Sequence, residues 1–153
     1  MSSRRTPWAV GVALAGALTV SGCSGAVDGP VLTSRPQLLD TGGMAAQVEG
    51  VVTMDGDCLV LVPRDSPEAS GSPVVWPAGT RWQAEPPAVV LDDGSVVLVG
   101  EAVVGGGGYL RPADLAAGSG RAVAHAAAAC VGETGEVALF NPGSRVDPAL
   151  PRP

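Results

Sequence analysis

The chain has 153 residues, with nine basic residues, all of them arginine, against fifteen acidic ones, and only 3% of its residues are aromatic. This acidic composition without a basic patch argues against binding to nucleic acid, whose phosphate backbone attracts clustered positive charge. The length leaves room for one domain of ordinary size. We therefore expect a single small domain that does not bind nucleic acid.

The first residues have the order of an export signal. Arg4-Arg5 precede an uncharged apolar run, Trp8–Val20, and small residues then lead to Cys23. This order of charge, apolar core and small residues is typical of a secretory signal peptide. The apolar run of about 13 residues is too short to cross a hydrocarbon core of about 30 Å as a stable helix. We predict a signal peptide over residues 1–22.

The segment Val20-Ser21-Gly22-Cys23 resembles the lipobox of bacterial lipoproteins. In that family the cysteine is joined to diacylglycerol through a thioether and becomes the first residue after cleavage. The resemblance implies a lipidated Cys23 and a location on the extracytoplasmic face of the cell membrane. Two acyl chains suffice for stable anchoring. The alternatives are an ordinary signal peptide or an N-terminal membrane helix, and Arg4-Arg5 leave the twin-arginine export route open.

The three cysteines are predicted to have two different roles, one as the site of the lipid and two as a bonded pair. If Cys23 carries a lipid, Cys58 and Cys130 remain. In an oxidising compartment, two cysteines in a small domain are most simply explained by a disulfide, for which the chain-entropy model gives about 4 kcal/mol at a loop of about 72 residues. A redox role would require Cys-x-x-Cys spacing, and a metal site would require more than one histidine. We therefore predict a structural disulfide.

The predicted domain is preceded and followed by irregular segments. Residues 23–47 are rich in Gly, Pro, Ser and Thr, which predicts a lipidated flexible tether that spans about 25–30 Å as a coil. Leu38-Leu39 leave open the alternative that part of the tether packs on the domain. The folded domain is predicted over residues 48–140, and residues 141–153 are predicted to be a disordered tail.

Short valine-rich strands separated by turns dominate the domain. Apolar alternation over Val48–Met54, the turn signal Asp55-Gly56 and the apolar run Cys58–Val62 predict a hairpin. A second hairpin is predicted around Asp92-Asp93-Gly94. The glycine run Gly105–Gly108 is predicted to be a bend that lets backbone segments approach closely.

Two short helices are compatible with the last part of the domain. Pro112–Ala117 has proline in place for a first helical turn, and the alanine-rich Arg121–Ala129 permits either a helix or an extended segment. Glu136–Phe140 is the predicted last strand. Together these elements predict an all-β fold, either a small OB-like Greek-key barrel or a sandwich, with one or two short helices and one disulfide.

A second resemblance concerns the domain itself. Trp76–Thr80, Gly105–Gly108 followed by Tyr109, and the two domain cysteines are similar to features of small secreted or lipid-anchored β-domains of high-GC bacteria. The resemblance covers residues 48–140. It fits an exported domain and implies no activity.

No complete catalytic set is visible in the sequence. His125, the only side chain with an ordinary pKa near neutrality, lies in an alanine-rich run without a cysteine nucleophile or serine elbow. Turn geometry explains the acidic pairs Asp55/Asp57 and Asp92/Asp93, and the glycine run lacks the lysine of a phosphate-binding loop. We predict no metal, no cofactor and no enzymatic activity. The predicted function is a membrane-anchored binding or accessory module of the cell envelope, with an envelope protein as partner.

Aromatic side chains provide the only candidates for ligand binding. Trp76, Trp82 and Tyr109 have the amphipathic character that favours binding surfaces, although the simpler interpretation is that they plug the ends of a barrel. Two alternative functions follow. One is a small-ligand carrier that uses an aromatic-lined barrel mouth, and the other is an enzyme whose site is assembled only by the fold.

Overall fold

The computed structural model of the chain describes residues 27–36 and 43–149. The predicted signal peptide, Cys23 and Leu38-Leu39 lie outside these ranges. Within them the predicted all-β fold with two short helices and a disulfide is confirmed. The elements are β1 (Val27–Asp28), β2 (Val31–Thr33), β3 (Ala46–Asp55), β4 (Cys58–Val62), β5 (Ser72–Trp76), β6 (Arg81–Gln83), β7 (Ala88–Val90), β8 (Val96–Leu98), β9 (Ala102–Leu110), α1 (Pro112–Ser119), α2 (Arg121–Cys130), β10 (Val137–Phe140) and β11 (Val146–Pro148).

Five strands form a closed ring in the order β5, β10, β9, β3 and β4, and β4 pairs again with β5. Neighbours are antiparallel except for β5 and β10, which are parallel. The β3–β4 hairpin turns where the sequence predicts it, between the paired residues Asp55 and Cys58. The ring is a small OB-like barrel of the predicted kind.

The N-terminal hairpin, β1 and β2, corrects the prediction of a flexible tether over residues 23–47. β4 pairs with the first half of β5, and β2 runs parallel to the second half. Val31 and Leu32 are buried on opposite faces of the sheet. Burial of these two aliphatic side chains offsets the entropy lost when the hairpin is ordered. The folded unit therefore includes residues 27–36, which composition alone assigns to a linker.

β5 is buried along its whole length because apolar clusters cover both of its faces. Val74 and Trp76 point into the barrel, where Trp76 packs against Phe140 with ring centroids 5.3 Å apart. Val75 points outward to the helices. The inner cluster contains Val31, Val48, Val52, Leu59, Leu61, Val74, Trp76, Val89, Leu91, Val97, Val103, Ala138, Phe140 and Val146. The outer cluster contains Leu32, Val75, Leu115, Val123, Ala127 and Val137.

A separate three-stranded sheet, β6 to β8, closes one end of the barrel, and we call it the cap sheet. β5 is antiparallel to β9 because both pair with β10 in opposite senses. The end of β5 and the start of β9 therefore lie at the same end of the ring, and the cap sheet connects them. Val89 and Val97 on its inward face belong to the inner cluster. Its β7–β8 hairpin is the second hairpin predicted from the sequence.

The two helices cover the outside of the barrel wall at β2 and β5. α1 begins at Pro112, as predicted, and extends one residue past Gly118. Gly120, with a φ of 95°, joins it to α2 and adopts backbone geometry that glycine tolerates best. The alanine-rich segment is a helix, so the open choice between helix and extended chain is resolved.

The glycine run is not a bend, which corrects that part of the prediction. Gly105–Gly108 continue β9 without interruption, with β3 on one edge and β10 and β11 on the other. The predicted close approach of backbone segments is nevertheless present. A Cβ at Gly107 would collide with the Leu139 carbonyl oxygen, and a Cβ at Gly108 would lie 2.7 Å from Met44 Sδ.

The C-terminal segment is also more ordered than predicted. β11 pairs with β9 through Val146, which is 5% exposed and contacts the inner cluster. Asn141 fixes the turn before it, because its backbone N–H donates to the Gly106 carbonyl at 2.9 Å. The predicted tail over residues 141–153 is therefore part of the fold at least as far as β11.

Candidate functional site

The three aromatic candidates occupy different surroundings. Trp76 is fully buried, and its indole N–H has no hydrogen-bond partner among the described residues. Trp82 is partly buried on the cap sheet and packs on the inner cluster. Tyr109 lies on β9 and remains 42% exposed. The structure does not bring these side chains together at an open barrel mouth, since Trp76 fills the interior.

Tyr109 has a polar environment of its own. Partial burial raises the pKa of its phenol, a hydrogen bond to the Glu49 backbone opposes this in part, and the negative charges of Glu49 and Glu136 add smaller effects in the direction of burial. Tyr109 therefore presents a partly exposed aromatic ring and a hydroxyl group at the surface.

The disulfide is formed by the predicted pair. Cys58 at the start of β4 is bonded to Cys130 at the end of α2, with a Cα–Cα distance of 5.7 Å. The bond attaches the helical layer to the barrel wall. It also leaves Cys23 as the third cysteine of the chain, which is outside the described residues.

A shallow groove with an apolar wall lies on α1 and α2, and we call it the helix groove. Its volume is about 590 Å³. Alanine methyl groups of Ala116, Ala124 and Ala128 form its wall, and Arg121 and His125 lie on the same face of α2, four residues apart. The alanine run with Arg121 and His125 at helical spacing was a signal for this face, but the adjoining α1 could not be placed from the sequence.

The chemistry of the helix groove favours binding over catalysis. Besides Arg121 and His125, it has Arg111 at its edge, whose Nε lies 3.2 Å from the Asp114 carboxylate in an exposed pair. The residues that line the groove include no hydroxyl, thiol or carboxylate side chain. An exposed imidazole without an adjacent nucleophile or acid does not form a nucleophilic set. Apolar walls beside the Arg121 guanidinium fit a ligand that carries both methyl groups and negative charge.

A second, smaller concavity of about 390 Å³ lies beside the glycine strand. Gly105 and Gly106 form part of its floor, and Arg145 and Asp147 line it. These two residues form an ion pair with an N–O distance of 3.1 Å. The arginine is therefore already matched by a carboxylate, and the glycine backbone is engaged in strand pairing.

The acidic turn pairs lie where turn geometry requires them. Asp93 accepts a hydrogen bond from the Ser95 backbone N–H at 2.9 Å, and this hydrogen bonding lowers the pKa of the Asp93 carboxyl. Asp55 and Asp57 flank Gly56 at the exposed tip of the β3–β4 hairpin. Within residues 27–36 and 43–149, no group of three or more His, Cys, Asp or Glu side chains comes together.

Comparisons with known proteins place the chain in no group: no family model, no curated protein and no solved structure matches it. Among the described residues, neither helix has the length and apolar character needed to cross a membrane.

Proposed function

We propose that this protein is a lipid-anchored, extracytoplasmic binding or accessory module of the cell envelope, without enzymatic activity. Its anchor would be a diacylglyceryl group on Cys23, and its folded barrel would present a partner-binding surface. The lipobox-like segment and the preceding signal peptide support the anchor. The wall and rim of the helix groove support the binding role.

The observation that carries this proposal is the pairing of Cys58 with Cys130. A disulfide fits the oxidising compartment that an export signal implies. It also accounts for two of the three cysteines, so that Cys23 is the one available for a thioether. An unrelated arrangement, such as a bond from Cys23 to either domain cysteine, would have removed the basis for a lipid at Cys23.

The anchor can be tested by fractionation of cells that express the full chain. The wild type should sediment with membranes and incorporate labelled palmitate, and Cys23→Ser should appear in the soluble extracytoplasmic fraction without label. Cys58→Ser combined with Cys130→Ser is the matched control, because it removes two cysteines and should leave the label in place. A Cys23→Ser variant that stays on the membrane would contradict the anchor.

For the partner-binding surface we propose the helix groove, and an acidic segment of an envelope protein as its ligand. Arg121 gives the rim of this face a positive charge on a protein with a net charge of −6. Opposite charges at a rim raise association rates and favour the correct partner. Cross-linking in intact envelopes should capture a defined protein, and Arg121→Glu should abolish capture. The control Arg81→Glu changes the same charge on the cap sheet and should leave capture unchanged.

The proposed absence of enzymatic activity can be tested on the purified protein. Purified protein should show no turnover across hydrolase and transferase substrate panels. A turnover that is lost in His125→Ala would overturn the non-enzymatic assignment, because His125 is the one side chain of the groove suited to general base catalysis.

A further inference from the structure

We infer that the cap sheet is the membrane-facing end of the domain and that the exposed apolar residues on β1 and β8 rest on the surface of the bilayer that holds the lipid. This inference rests on the proposed anchor at Cys23 and goes beyond it. It assigns an orientation to the domain and an occupant, the lipid surface, to one of its faces.

The first step is the length of chain between the lipid and the fold. Val27 is the first residue of β1, only four residues after Cys23. Four residues span at most about 14 Å when fully extended. A domain of this size is about 35 Å across. A linker shorter than half the domain's width cannot bring the far end of the domain to the membrane, so the end that contains β1 must face it.

The second step identifies that end. Val27 pairs with Leu32 and Asp28 with Val31, so β1 enters the fold from the end at which β2 finishes. β2 is parallel to β5, and the end of β5 leads into the cap sheet. The contact is direct, because the Asp28 carboxylate accepts a hydrogen bond of 3.0 Å from the Trp82 backbone N–H in β6.

The third step is the distribution of exposed apolar side chains. Four large apolar side chains are exposed in the described part of the chain, and three of them lie at the cap end: Val27 at 49%, Val96 at 47% and Leu98 at 38%. Val96 and Leu98 alternate with the buried Val97, so they share the outward face of the cap sheet. Apolar groups on an anchored domain gain free energy from contact with the bilayer interface.

The backbone of Leu98 on the edge of β8 is already engaged, which disfavours strand addition by another protein at this position. The Glu101 carboxylate accepts from the Leu98 backbone N–H at 2.9 Å, and the Glu101 backbone N–H donates to the Leu98 carbonyl at 3.0 Å. A strand that paired here would have to displace both bonds. This protection favours a lipid surface, which needs no backbone partner, over a peptide strand.

Charge does not favour this orientation. Arg81 lies on the outward face of the cap sheet, but Glu85, Asp92, Asp93 and Glu101 are exposed at its loops. Attraction of the one cation to anionic lipids is outweighed by the four carboxylates. The short linker and the apolar contacts therefore determine which end faces the membrane, and the orientation should persist at high salt.

Photocross-linking of the full lipidated protein in phosphatidylcholine vesicles with a minor fraction of phosphatidylglycerol tests the inference. Photoreactive benzoylphenylalanine is introduced at Val96 in one preparation and at Tyr109 in the other. Tyr109 is the matched control, since it is similarly exposed, at 42%, but lies near the opposite end of β9. We expect phospholipid adducts at position 96 and none at position 109.

A linker variant sharpens the test. Insertion of 20 Gly/Ser residues between Gly25 and Ala26 should keep the protein on vesicles and lower the yield of adducts at position 96 roughly tenfold, because effective concentration falls steeply with linker length. Equal adducts at both positions, or an unchanged yield in the long-linker variant, would overturn the orientation while the anchor stands. If the wild-type chain does not remain on vesicles, or if its retention does not require Cys23, the anchor and the orientation are overturned together.

Discussion

The inner and outer clusters are both apolar, but they differ in size and in the elements that enclose them. The inner cluster is enclosed by a ring of paired strands and contains the two largest buried side chains, Trp76 and Phe140. The outer cluster is smaller, its helical side is built from Leu115, Val123 and Ala127, and neither helix has a side-chain cap at its N-terminus. The disulfide therefore lies where packing is weakest, because it ties α2 to the barrel wall.

The largest expected effect is on the inner cluster. Trp76→Ala should lower the free energy of unfolding by about 3–5 kcal/mol, because it leaves a cavity among fully buried neighbours. Denaturant titration followed by circular dichroism measures the change. Trp82→Ala is the matched control and should cost less, since Trp82 is only partly buried on the cap sheet. A greater loss at Trp82 would reverse the ranking of core and cap.

The disulfide tests the outer cluster. Cys58→Ala combined with Cys130→Ala should lower the free energy of unfolding by about 2–4 kcal/mol, because the unfolded chain loses the constraint on a long loop. Hydrogen exchange should show the protection of α2 amides falling more than that of β9 and β10. An equal loss of protection in both regions would mean that the two clusters unfold as one unit and that the helical layer is not the weaker of the two.

The glycine strand sharpens the comparison because it determines how closely the ring packs. Gly107→Ala should lower the free energy of unfolding by about 1–3 kcal/mol, since its Cβ meets the Leu139 carbonyl oxygen and Val48 Cγ2. Gly106→Ala is the matched control, with its nearest atom at 3.6 Å, and it should be neutral or stabilising by up to about 1 kcal/mol. Equal costs at both positions would show that strand spacing does not depend on Gly107.

The smallest effect is expected at Tyr109, which belongs to neither cluster. Its pKa is raised in the folded protein, so the folded state holds the phenol proton more tightly than the unfolded state does. Stability should therefore be constant below the ordinary tyrosine pKa near 10 and should fall as the pH rises toward the folded value. Tyr109→Phe should remove this component of the slope in thermal melts. An identical slope in both proteins would contradict the assignment.

Local patterns in the sequence were sufficient for much of the barrel. The two Asp-Gly turns predict both hairpins because turn conformation depends on adjacent residues. The alternation from Val48 to Met54 predicts which face of β3 is buried. Proline at position 112 predicts the start of α1, and the oxidising compartment that the predicted signal peptide would imply predicts the Cys58–Cys130 bond.

The parts that could not be predicted depend on distant contacts. β2 and β11 are short, and each becomes a strand only because it pairs with a longer strand, β5 or β9, while β1 pairs in turn with β2. The glycine run has no side chains whose alternation could indicate a strand, so its position between β3 and β10 could not be predicted. The helix groove requires two helices that the sequence could not orient, and Trp76 could not be assigned to the interior from its type alone.

The lipid on Cys23 and the Cys58–Cys130 bond are both reported by the intact mass of the protein extracted from membranes, measured before and after reduction and alkylation. We expect a chain that begins at Cys23, carries the mass of the lipid, and gains two alkyl groups only after reduction. A chain that retains residues 1–22 without lipid, or one that is alkylated at a cysteine before reduction, would contradict this expectation.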